Sequence, residues 1–286
     1  MILECDQEMV DRVEQLLRVN CPSPESELTI LGGLVACVPR TEEGAEMRRA
    51  VLDVDDLVAQ SRWHLGQSLL LMEMYPIILE ADSDAEGIEK AMKEIGMPSS
   101  ALLLLRGFIK DADRALYSDL AERRRGGTVA GWIFHMMVDS SLYRTFAALD
   151  RIAHVLWNVG GLPRQNAKGK EIRVYFRPGK VKEIDAAINN AHTQEMVKIA
   201  NGPLMEFLIG YRNRYTHKAK AYSKIAGTLP VDEWHRADGT RVEQRSDGWE
   251  AELLFALGRS GYLQLVDVLK LTVPICEEKL GQYKFF

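Results

Sequence analysis

The sequence predicts an all-α fold, an antiparallel helical bundle, on three observations. Apolar residues recur at three- and four-residue steps over most of the chain. Helix-start and helix-stop residues punctuate those periodic stretches. A β-like pattern is confined to residues 172–176, leaving room for one short β-hairpin. Long helices joined by short turns bury their apolar stripes by lying side by side.

The elements follow in chain order. Residues 3–19 read as an amphipathic helix, ended by the turn-rich NCPSPES. Residues 28–38 are apolar with two glycines and fit a short strand or a buried helix, since periodicity does not separate the two at this length. Helices are expected over 46–80 and 84–95, the second opening at Ser83 and closing at Gly96-Met97-Pro98. Ser99 and Ser100 can cap a helix over 101–125, stopped by Gly126 and Gly127. Thr128 caps another to about 158, closed by Gly160, Gly161 and Pro163. The basic stretch RQNAKGKEIRVYFRPGKVKEI comes next, with 172–176 at its centre. A helix over 183–200 follows, then one opened by Asn201-Gly202-Pro203, and a last over 259–283. The polar TLPVDEWHRADGTRVEQRSDGW separates the final two. Residues 1–97 thus form an N-terminal helical region without an assigned function, and 98–286 the bundle.

Composition narrows the class. The 286 residues are 47% hydrophobic and 27% charged, an ordinary globular profile with ample material for a core. A net charge of -5 argues against a uniformly basic coat but not against a local basic patch. Cys5, Cys21, Cys37 and Cys276 are scattered without metal-ligand spacing, which suits a reduced, cytoplasmic setting. MILECDQEMVDR lacks the basic and apolar parts of a signal peptide. The longest apolar runs, LTILGGLVACV and ALLLLRGFI, are too short to cross a bilayer, so no membrane partner is expected.

Chemistry concentrates in GYRNRYTHKAKAY, residues 210–222. Leu204, Phe207, Leu208, Tyr211, Tyr215, Ala219 and Tyr222 mark an apolar stripe, which places Asn213 and His217, four apart, on the opposite side. Arg212, Arg214, Lys218, Lys220 and Lys224 come without any acid over 211–224, so an anionic ligand or a protein surface competes with a merely solvated face. A second basic island, 164–182, holds Arg164, Lys168, Lys170, Arg173, Arg177, Lys180 and Lys182 against the single acid Glu171. Tyr175 and Phe176 interleave with these cations, a composition suited to single-stranded nucleic acid as well as to a solvated hairpin.

Arg212-Asn213-x-x-x-His217, late in a helical bundle, resembles the Arg-polar-x-His motif of the HEPN superfamily. The resemblance covers roughly residues 98–286 and implies an all-α domain of about four main helices. It also implies a metal-independent endoribonuclease of toxin–antitoxin, defence or RNA-processing type, and a homodimer whose two motifs meet in one cleft. A partner antitoxin or nucleotidyltransferase belongs to the same expectation. Carried onto this chain, His217 is the general acid or base, Arg212 clamps the scissile phosphate and Asn213 orients either. Asp150 is the candidate acid on the preceding long helix, although a helix-face ion pair accounts for it equally. Arg214, Lys218, Lys220, Arg173, Arg177 and Lys180 are the candidate RNA contacts. Position 219, a modified Tyr in some members, is Ala here. Many members of the superfamily are inactive, so a catalytically silent helical module binding RNA, nucleotide or a partner protein is the alternative.

Other constellations point away from cofactors. His135 with Asp139, and Asp150 with His154, are four apart on one helix, but no Glu-x-x-His or His-Glu-x-x-His accompanies them, so no metal is expected. RRRGGTVAGW lacks the Gly-Lys-Ser/Thr ending of a phosphate loop and reads as a helix–helix turn.

Overall fold

The computed structural model describes residues 7–36, 38, 41–80, 129–215 and 249–280. These residues are all-helical, with no strand among them: α1 (Gln7–Asn20), α2 (Glu25–Ala36), α3 (Glu42–Glu80), α4 (Val129–Val159), α5 (Pro178–Ile188), α6 (Ala191–Ala200), α7 (Pro203–Tyr215) and α8 (Trp249–Leu280). The helices expected over 84–95 and 101–125, the boundary at 97 and the polar loop up to 248 lie outside the described residues. No helix among those described is long and apolar enough to cross a membrane.

The chain divides into two compact units, with divisions falling inside α3, α4 and α8. The first comprises Met1–Pro22, Arg62–Ser140 and Leu229–Arg259. Here α1 buries Val13, Leu16 and Leu17, and the absence of a side chain at Gly66 of α3 lets it come close. A Cβ at Gly66 would stand 2.5 Å from Val13 Cγ1 and 2.8 Å from Leu17 Cγ, so any larger residue forces the two helices apart. The C-terminal end of α1 has carbonyls that no helical N–H reaches. Arg259 Nε donates to the Asn20 carbonyl at 2.7 Å and Arg62 Nε to that of Cys21 at 2.9 Å. Arg62 also grips Glu14 with Nη1, at 3.0 and 3.1 Å from its two oxygens. Guanidinium groups suit a helix C-terminus because the peptide dipoles leave it partly negative.

The second unit comprises Ser23–Ser61, Ser141–Thr228 and Ser260–Phe286. Residues 28–38, which fit strand or helix by sequence, are mostly helical as α2, with Leu31, Leu34 and Val35 buried. Glu25 and Glu27 in its first turn complement the positive end of the helix and offset the glycines within it. The adjoining stretches of α3 and α4 share a buried hydroxyl cluster. Ser61 Oγ lies 2.9 Å from Ser141 Oγ and 2.8 Å from Thr145 Oγ1, and donates to the Ser141 carbonyl at 3.1 Å. Every member is satisfied, as burial demands.

Four expectations need correction. The β-hairpin at 172–176 is absent; that segment is irregular, and the only pairing nearby is an isolated bridge, Gln165 to Glu171, across a turn at Gly169 (φ 70°). Further pairing is pre-empted because Phe176 buries its ring and its N–H donates to Asp150 Oδ1 of α4 at 2.9 Å. The single helix over 183–200 is two helices. Asn189 adopts the left-handed conformation (φ 54°), and Asn190 restarts the chain with a capping box to Thr193. The burial of α7 is also turned. Met205 and Leu208 are fully buried, whereas Leu204 and Phe207 are only partly so. At about 100° per residue this shifts the buried azimuth by roughly 70° from the expected stripe. The last helix starts at Trp249 and not at 259, and contains Pro274.

Candidate nucleic-acid interface

A groove of about 500 Å³ lies in the second unit, built from one face of α3, one face of α4 and the 174–175 segment. From α3 come Asp53, Asp56, Leu57 and Gln60, and from α4 Tyr143, Arg144, Ala147, Asp150, Arg151 and His154. The spacing of three and four in each set brings the side chains to one side of the helix. Val174 and Tyr175 supply the remaining wall. Tyr175 is held there because its neighbour Phe176 is anchored to Asp150.

The groove is polar and mixed in sign. Arg151 Nε pairs with Asp53 Oδ2 at 3.0 Å, each side chain about half exposed (53% and 48%). Asp56 and Arg144 form no ion pair among the described residues. Burial pushes the imidazole of His154 below its usual value. Glu46 pulls it back up, and Arg151 and Arg164 push it further down. His154 is therefore neutral at pH 7 and adds no charge to the groove. Tyr143 is 58% exposed, a large ring turned to solvent.

Beside the groove runs the basic segment 164–182. Arg164 pairs with Glu46 at 2.8 Å, and Lys180 pairs with Glu183 at 2.9 Å while its ammonium stands 4.6 Å from the Trp157 ring centroid. The others differ. Lys168, Lys170, Arg173, Arg177 and Lys182 are exposed and form no ion pair among the described residues. Arg177 lies over Tyr175, 5.5 Å from the ring centroid. Asn166 shapes the loop that carries the lysines, its Oδ1 accepting from the backbone N–H of Lys168 (2.9 Å) and Lys170 (3.1 Å).

Of the residues singled out by sequence, Asp150, Arg173, Arg177 and Lys180 lie in this unit, Asp150 in the groove, Arg173 and Arg177 on the loop and Lys180 in the first turn of α5. Arg212, Asn213 and Arg214 lie on α7, and their side chains fall outside what is described; His217, Lys218 and Lys220 lie outside the described residues. The convergence of Asp53, Asp56, Tyr143 and His154 is not legible from any local motif. Its only trace in sequence is the helical spacing of polar residues within two segments far apart in the chain. Among the described residues, no group of three His, Cys, Asp or Glu could hold a metal. Compared with protein-family models, curated proteins and solved structures, the chain has no match.

Proposed function

We propose that this protein binds single-stranded RNA along residues 168–182 and cleaves it, in the manner of the HEPN superfamily, through Arg212, Asn213 and His217. The observation that supports binding is the row of exposed cations that form no ion pair among the described residues, with Tyr175 among them. Such a row attracts phosphates and offers a ring to a base, while a purely structural loop would pair its charges as Arg164 and Lys180 do.

The cleavage step uses the RNA's own 2′-hydroxyl. Its oxygen attacks the adjacent phosphorus, the P–O5′ bond breaks, and a 2′,3′-cyclic phosphate and a 5′-hydroxyl result. His217 takes the proton from the 2′-oxygen or delivers one to the leaving oxygen, and Arg212 stabilises the charge that builds on the phosphate. A homodimer would bring two such motifs into one cleft. The test is incubation with RNA in excess EDTA, with analysis of the product ends, for wild type and His217→Ala. Cyclic phosphate ends from wild type alone are the expected result. Products bearing 5′-phosphates, or activity that returns only with magnesium, overturn the mechanism.

A second reading, a catalytically silent RNA-binding module, is favoured by one observation. Asp150, the candidate acid, accepts the Phe176 N–H and so has a structural use unrelated to proton transfer. RNA binding without cleavage under any condition selects this reading.

A further inference from the structure

We propose that the α3–α4 groove holds one unpaired guanine base of the RNA whose phosphates lie on residues 168–182. This rests on the RNA-binding reading above and names what its neighbouring groove selects.

Charge separates the two regions. Three carboxylates, Asp53, Asp56 and Asp150, line the groove against the two guanidinium groups of Arg144 and Arg151, and burial disfavours the charged form of His154. A phosphate is disfavoured beside these carboxylates and drawn to the cations of 168–182 that form no ion pair among the described residues. A base is uncharged, and the groove offers it what bases need: the rings of Tyr143 and Tyr175 to stack on, and carboxylate acceptors for its edge. The groove volume, about 500 Å³, is ample for a nucleoside.

The identity of the base follows from hydrogen-bond geometry. Asp53 is engaged by Arg151, whereas Asp56 makes no ion pair among the described residues and is the acceptor left over. A carboxylate has two acceptor oxygens and no donor, so its best partner presents two adjacent N–H donors. Guanine does so with N1–H and N2–H. Adenine, cytosine and uracil each place an acceptor beside their donor, which a carboxylate repels.

The experiment uses the full chain and short fluorescent 2′-O-methyl oligouridylates, which cannot be cleaved, carrying a single central guanosine, adenosine or cytidine. Binding is read by anisotropy for wild type, Asp56→Asn and Tyr143→Ala. Wild type should bind the guanosine oligomer roughly tenfold tighter than the others, as one good bidentate contact implies. Asp56→Asn should erase that preference without weakening the binding of plain oligouridylate. Tyr143→Ala should weaken the guanosine oligomer by about the same factor. Equal binding of all oligomers by wild type, or a preference that survives Asp56→Asn, overturns the guanine site while the RNA-binding reading stands. Failure to bind any oligomer overturns that reading too. Both substituted side chains are exposed and outside the core, so unfolding is not the expected cause of a change.

Discussion

At the end of α1, Arg62 and Arg259 donate to the carbonyls of Cys21 and Asn20, while along 168–182 five cations meet no carboxylate among the described residues. The two regions hold the same chemical groups in opposite circumstances. Arg62 is 13% exposed and satisfied on two sides by the protein itself. Arg173 faces water and is satisfied by nothing in the fold that is described. A basic residue therefore reports on function only through what it touches: internal partners mark a clasp, and their absence leaves charge for a ligand.

The largest expected effect follows from removing the clasp. Arg62→Ala strips the Cys21 carbonyl and Glu14 of their donor and should cost about 2–3 kcal/mol in urea unfolding. Arg173→Ala should stay within about 0.5 kcal/mol of wild type, yet weaken RNA binding and flatten its salt dependence, the log–log slope falling by about 0.7 per lost phosphate contact. Equal stability losses for the two variants would break the comparison.

Asp150 stands between these cases, because one carboxylate both lines the groove and accepts the Phe176 N–H. Asp150→Ala should cost about 1–3 kcal/mol and loosen the loop's hold on RNA. Asp150→Asn keeps an acceptor oxygen and should restore most of the stability. If Asp150→Asn is as stable as wild type and yet inactive in cleavage, the carboxylate has a chemical role beyond its structural one.

The helical content was legible because it depends on local signals, spacing and caps; Asn201-Gly202-Pro203, for example, opens α7 at Pro203. The split between α5 and α6 was also written locally, in the adjacent Asn189 and Asn190, but a continuous apolar period across them masked it. The azimuth of α7 was not legible. Leu204 and Phe207 are as apolar as Met205, and only the partner helix decides which face is covered. A Cβ at Gly261 of α8 would lie at ordinary contact distance, 3.6 Å, from Leu208, so α8 is the neighbour that covers the Leu208 side of α7. The groove was illegible for a related reason. It joins Asp56 to Tyr143 and Tyr175 through tertiary packing alone, whereas the pair Asp150 and His154 was visible as a single helical turn.

The thiols sharpen the comparison between the two units. Cys21 and Cys276 are fully buried, and burial pushes each thiol up to about 12, so neither should react with iodoacetamide in the native protein. Peptide mapping after timed alkylation in moderate urea then reads the opening of each unit separately. Arg62→Ala should speed labelling of Cys21, whose carbonyl it no longer holds, more than labelling of Cys276. Equal acceleration at both sites would mean that the units open together.

The smallest effect is a pH dependence at His154. Burial lowers its pKa in the folded protein, while the unfolded chain keeps the ordinary value near 6.5. Between the two values the unfolded chain takes up a proton that the folded protein refuses. Stability from this site is therefore present above about 6.5 and is lost as pH falls through the folded value. The informative quantity is the difference between wild type and His154→Gln, which cannot titrate. The gap between their melting temperatures should narrow or reverse as pH drops from about 7.5 to 5.5, with Glu46 and Glu171 limiting its size by favouring the protonated ring. A gap that widens in favour of wild type at low pH would mean that these two acids outweigh burial. The groove would then gain a positive charge on acidification and lose the charge balance on which guanine selection depends.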